Sequence, residues 1–308
     1  MISQFLTVGQ QVLILFILIG IGYIFGKTKI FSDVGIKSIT DFVLYIVCPC
    51  VVIDAFQREF NIALLKNLLI TAGFATVAHL IPTLLSYLLI HEKDKARAKV
   101  LRFGTVFSNC GFMSLPLQQA LLGEDGIFYG AIFVAIFNIL AWTYGLVIMS
   151  GDIKQISPKK LITNPGIIGV VIGLLLFFTQ FTLPQVIAKP ISYLSALNTP
   201  MPMVIIGYHL SQSNVIKALK EKQLYMSMFV RLIAAPSILA VIMYLLKIEP
   251  TIIIACVIAE AAPTAALTTM FSSKYDGATG LSVDLVSLST LLSLLTLPII
   301  IGFTQSFV

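Results

Sequence analysis

The sequence predicts an all-α integral membrane protein: ten transmembrane helices forming two inverted five-helix repeats, with the fourth and ninth helices broken. Three observations carry that expectation. The 308 residues are 58% hydrophobic and 11% charged, with a mean hydropathy of +0.98, whereas a soluble domain is near half apolar and about a quarter charged. The apolar residues form runs along the whole chain, and ten spans of about 20 residues use up its length. The basic residues then alternate from one side of those spans to the other.

The first run, 8–26, has no Lys or Arg before it and no small-residue cleavage pattern after it. It reads as a retained helix and not as a signal peptide. Spans follow at 35–56, 67–90, 100–121 and 127–149. The charged stretch His91–Arg97 is a solvated loop, and Asp125-Gly126 is a turn pair. The second half gives 165–183, 190–210, 224–246, 251–272 and 280–304. Asn164-Pro165 puts a capping side chain before a proline at the first helical position. Asp276-Gly277 repeats the turn pair ahead of the last span.

With the loops after odd-numbered spans on one side, that side holds fifteen of the twenty basic residues. The other side holds Arg58, Lys66, Lys189 and Lys247, and Arg231 falls within a span. The positive-inside rule places the fifteen in the cytoplasm and both termini outside. The net charge of +6 therefore speaks to topology, and no nucleic-acid partner is expected. Cys48, Cys50, Cys110 and Cys256 all lie in apolar runs and behave as small hydrophobes. No cofactor is expected beyond Na⁺ or H⁺ as a coupling ion.

Five spans per half would make residues 1–150 and 151–308 upside-down copies. At an offset of 151, Gly22 meets Gly173, Pro49 meets Pro200, Asn109 meets Glu260, and Asp125-Gly126 meets Asp276-Gly277. Inverted repeats are a common plan of secondary carriers, with the site where the halves meet. In the fourth span Gly111 weakens the helix and Pro116 cannot donate to the carbonyl of Phe112; in the ninth, Pro263 releases the carbonyl of Ala259. Freed backbone groups at membrane depth need protein or a water-filled cavity to satisfy them. The amino ends of such half-helices, near Phe112–Leu115 and Pro263–Ala266, suit a carboxylate, and the carboxyl ends suit a cation.

Glu260 lies near mid-membrane, where a carboxylate must be protonated, paired or bound to a cation. It is the candidate coupling residue, with Ser108 and Asn109 supplying uncharged oxygens for a small cation such as Na⁺, or for a carboxylate. Arg231 either snorkels to the cytoplasmic surface, pairs with an acid or contacts an anion. His79 reads as a satisfied core histidine.

Asp41-Phe42-Val43-Leu44-Tyr45-Ile46-Val47-Cys48-Pro49 resembles the auxin efflux carrier family, which includes bacterial malate permeases. So do Pro263–Phe271 and Lys274-Tyr275-Asp276-Gly277. The resemblance implies scaffold and transport domains, each built from both repeats, and fourth and ninth helices that cross at their breaks. It also implies a homodimer, alternating access and an organic-anion substrate. The family's crossover positions fall on Asn109, Pro116, Pro263 and Thr264. With Gly111 and Arg231 these form the expected substrate-binding set. Of the acid and lysine that plant carriers have near the start of the third helix, only Lys66 is present, with Ile62 in the acid's place.

Ser108-Asn109 and Glu260 also resemble, more distantly, the sodium–bile acid symporters. Sodium coupling and bile acid-like substrates thus stand beside proton coupling and malate-like ones. A sensor using the same fold is the other alternative. An enzyme is not expected, because there is no P-loop, no His-Glu-x-x-His helix and no nucleophile motif. The expected function is secondary transport of small organic anions across the cytoplasmic membrane.

Overall fold

The computed structural model describes residues 2–213, 218–275 and 277–308, and its named elements are all helical. Long apolar runs make helices because no lipid-exposed alternative satisfies the backbone. The first half contains α1 (Ile2–Lys27), α2 (Asp33–Ala55), α3 (Ile62–Leu89), α4 (Lys95–Val106) and α5 (Cys110–Ser150). After a short helix at Pro158–Ile162 come α6 (Pro165–Thr179), α7 (Gln185–Ala196) and α8 (Pro200–Gln212). Then follow α9 (Lys222–Leu245), α10 (Pro250–Ala261), α11 (Leu267–Lys274) and α12 (Thr279–Gln305). Among the described residues, six helices are long and apolar enough to cross a membrane, and α6 and α10 are shorter apolar helices.

Several borders have a visible cause. Ser32, Asn61, Asp94 and Asn164 each cap a helix start by accepting from its backbone amides. The chain reverses within α5 at Gly123, whose φ of 63° and ψ of −140° a residue with a Cβ rarely adopts. The turn expected at Asp125-Gly126 is therefore made just upstream, while Asp276 lies outside the described residues. The span expected at 190–210 is two helices, α7 and α8, parted at Leu197–Thr199.

Two seams fix the frame around the site. On α1 and α8, a Cβ added to Gly22 would strike the Val204 backbone, and one added to Gly207 would strike that of Ile19. Small residues let membrane helices approach this closely. On α2 and α6, Gly169 faces the Pro49 backbone and Gly173 faces the Phe56 ring. The first helix of each half thus packs on the second long segment of the other half.

Candidate functional site

Among the described residues the chain is interrupted within apolar surroundings after α4 and again after α10, and these two interruptions meet. After α4 the backbone turns extended at Phe107, passes through Asn109 and re-enters a π turn at Cys110–Ser114, which begins α5. After α10 it turns extended at Ala262 and resumes as α11. Between them Ser108 and Thr264 form an antiparallel bridge. The Asn109 amide donates to the Pro263 carbonyl at 2.6 Å, and the Ala265 amide donates to the Phe107 carbonyl at 2.9 Å. Pro263 has no amide to offer a helix, so it ends α10, and its carbonyl serves the bridge.

This places the first break at Phe107–Asn109, upstream of the position expected from Gly111 and Pro116. Pro116 follows the π turn, six residues beyond the start of α5 at Cys110, and has no N–H to donate back into that turn. Gly111 sits in the π turn. In the second break, Pro263 and Thr264 lie where the sequence puts them. Thr264 anchors the bridge: its hydroxyl donates to the Gly104 carbonyl at 3.0 Å, and its amide donates to Ser289 Oγ at 3.1 Å.

The carboxyl ends of α4 and α10 are closed by one side chain. Arg231 lies in a π turn of α9 (Val230–Ala234) and is 0% exposed. Its Nη1 donates to the carbonyls of Thr105 at 3.0 Å and Val106 at 2.9 Å. Its Nη2 donates to the Glu260 carbonyl and forms an ion pair with the Glu260 carboxylate. Glu260 is 1% exposed, and beyond the guanidinium neither carboxylate oxygen has a hydrogen-bond partner among the described residues. Arg231 therefore pairs with an acid and does not snorkel: its acceptors at two helix ends hold it inside the protein. Ser227, one turn earlier on α9, ties that helix to α4 through a 2.6 Å hydroxyl contact with Thr105.

The amino ends differ. Asn109 heads the π turn without using its side chain as a cap and is 9% exposed. Gly111 and Phe112 are half-buried, and Ala266 before α11 is exposed. A cleft of about 220 Å³ lies farther along α5, lined by Pro116 and Gln119 with Gln11 of α1 and Thr199 before α8, and not by Asn109, Gly111, Phe112 or Ala266.

His79 is buried, with Nδ1 2.7 Å from the Ala75 carbonyl and its ring against Phe107, Phe133 and Phe137. The sequence reading missed Thr105, Gln118, Ser227 and Ser289. Gln118 ties the restarted helix to α10 by donating to the Ala255 carbonyl at 2.7 Å.

Residues 7–158 and 149–301 match the model of a family described as membrane transport protein. Two archaeal relatives align over nearly their full lengths. An uncharacterised transporter of Methanothermobacter thermautotrophicus is 22% identical, covering 94% of this chain and 96% of its own. Another from Methanocaldococcus jannaschii is 25% identical, covering 93% and 95%.

Proposed function

The chain belongs to the membrane transport protein family, the auxin efflux carrier-like family that its sequence resembles, and from that premise we propose that it is a secondary carrier of small organic anions such as malate. The observation that carries this reading is the pair of joined breaks, closed at their carboxyl ends by Arg231 and bearing half-buried Gly111 and Phe112 and exposed Ala266 at their amino ends. Amino ends of half-helices attract carboxylates. Asn109 at one break, with Gly111 and Pro116 in the helix that follows it, and Pro263 and Thr264 from the other break, frame the substrate's place.

In this reading ten spans form two inverted repeats, 1–150 and 151–308, and the fourth and ninth cross at the breaks near mid-membrane. The reciprocal seams support it, because at an offset of 151 the α1–α8 seam, where Gly22 meets Val204 and Gly207 meets Ile19, corresponds to the α6–α2 seam, where Gly173 meets Phe56. The α1, α2, α6, α7 and α8 helices are the scaffold, and the remainder carries the site. The carrier works as a homodimer in the cytoplasmic membrane, with both termini outside. Alternating access exposes the amino ends to each side in turn, with H⁺ or Na⁺ as the driving ion.

The test is counterflow of labelled malate into proteoliposomes preloaded with unlabelled malate. Asn109→Ala is expected to slow counterflow at least tenfold while its unfolding midpoint stays at the wild-type value. An Asn109→Ala rate equal to wild type would place the substrate elsewhere.

A further inference from the structure

We propose that the Arg231 guanidinium is the resident cation of this protein: it fills the place between two helix carboxyl ends that a transported Na⁺ would take, so the anion moves without a sodium requirement. The inference deepens the carrier reading and rests on it for its transport consequence. Its structural part stands on the geometry of Arg231 alone.

The groups around the guanidinium are those a hard cation chooses. Carbonyl oxygens of Thr105 and Val106 end α4, and the carbonyl and carboxylate of Glu260 end α10. Unwound carbonyls and half-helix carboxyl ends are the features that coordinate Na⁺ in carriers with broken helices, and small hard cations take oxygen ligands of this kind. Here a side chain from a third helix already meets them. Arg231 is 0% exposed and Glu260 1%, so the cluster is sealed.

The charge balance leads to the same conclusion. One guanidinium faces one carboxylate, and the negative ends of two helix dipoles add to the attraction for positive charge. A second cation would face the guanidinium at contact distance, with no carboxylate left to offset it. Of the other residues expected to bind sodium, Ser108 is held in the bridge to Thr264 through its backbone, with its buried hydroxyl left without a hydrogen-bond partner among the described residues, and Asn109 is buried beside it; neither offers a negative charge to a second cation. The placement is also built in: the Ser227–Thr105 contact and the π turn at Val230–Ala234 set α9 against α4, so the guanidinium reaches both helix ends.

Thermal unfolding of the purified protein in detergent tests the assignment without any transport. Wild type in NaCl and in choline chloride at equal ionic strength should unfold at the same midpoint. Arg231→Ala vacates the position, and there Na⁺ or methylguanidinium should raise the midpoint by several degrees over choline, as a ligand of the folded state does. Stabilisation of wild type by Na⁺ over choline would overturn the proposal. So would a folded Arg231→Ala indifferent to both cations.

If Arg231→Ala is not recovered folded, the wild-type comparison decides, together with malate counterflow in the two salts. Equal rates are expected, and a tenfold stimulation by Na⁺ would refute the assignment. Absence of counterflow in both salts, with the wild-type midpoint unmoved by Na⁺, would count against the carrier reading and leave the cation assignment standing.

Discussion

The two sides of the paired breaks are built from the same interruption of the same helices, yet they are finished in opposite ways. On the carboxyl side Arg231 gathers the carbonyls of Thr105, Val106 and Glu260, and the Glu260 carboxylate, with 0% and 1% exposure for the two charged residues. On the amino side Asn109 is buried, Gly111 and Phe112 are half-buried and Ala266 is exposed, and none of the four carries a charge. A broken helix offers two kinds of ligand site, one at each partial charge. This protein satisfies one from within, and in the proposed function the other takes the substrate.

The largest effect that would break this contrast is on the closed side. Arg231→Leu strands a buried carboxylate and three carbonyl acceptors, and removing one partner of a buried pair is expected to cost about 3–5 kcal/mol. The unfolding midpoint in detergent, or the yield of monodisperse protein, reads this directly. Replacing Glu260 as well, in Arg231→Leu/Glu260→Leu, removes the orphaned charge and should recover part of the loss. A double variant no better than the single one would mean that the carbonyls alone need the guanidinium.

The bridge itself comes next. Thr264→Val removes the donor to the Gly104 carbonyl and leaves that buried acceptor unsatisfied, at about 1–3 kcal/mol. Gly207→Ala tests the frame in a similar range, because its Cβ meets the Ile19 backbone and overpacking costs about 1–3 kcal/mol. Midpoints equal to wild type for both would mean that neither the bridge nor the α1–α8 seam is as tight as described.

The smallest effect is expected away from the breaks. Arg58 pairs with Asp125 at 2.8 Å and lies over the Phe128 ring, but the Asp125 side chain is 52% exposed. Arg58→Gln should cost less than about 1 kcal/mol, as exposed ion pairs do, and a larger shift would locate a second anchoring point.

Much of the architecture was legible because hydropathy and membrane thickness leave few choices. The long helices α1, α2, α3 and α12 overlap the apolar runs read from sequence, with ends displaced by a few residues, for instance Ile62 in place of 67 at the start of α3. The break positions were harder. Proline alone does not place a break: helix resumes at Cys110 and Pro116 follows the π turn there, whereas Pro263 does interrupt. The Arg231–Glu260 pair illustrates the other limit. Each residue stood out as a charge in an apolar span, but they sit on different helices, and only packing brings them together. Thr105, Ser227 and Ser289 carried no sequence signal at all, because a hydroxyl in a membrane helix ordinarily bonds to its own preceding turn.

The central claim, that the open side of the breaks serves an organic anion, is tested most directly by labelled malate uptake into proteoliposomes under separately imposed proton and sodium gradients. Other carboxylates and an aromatic acid would compete in the same assay. The account predicts saturable uptake, accelerated by preloaded malate, inhibited by some of the competing acids and unaffected by the sodium gradient alone. No flux of any of these anions, from protein shown to be folded, would contradict it.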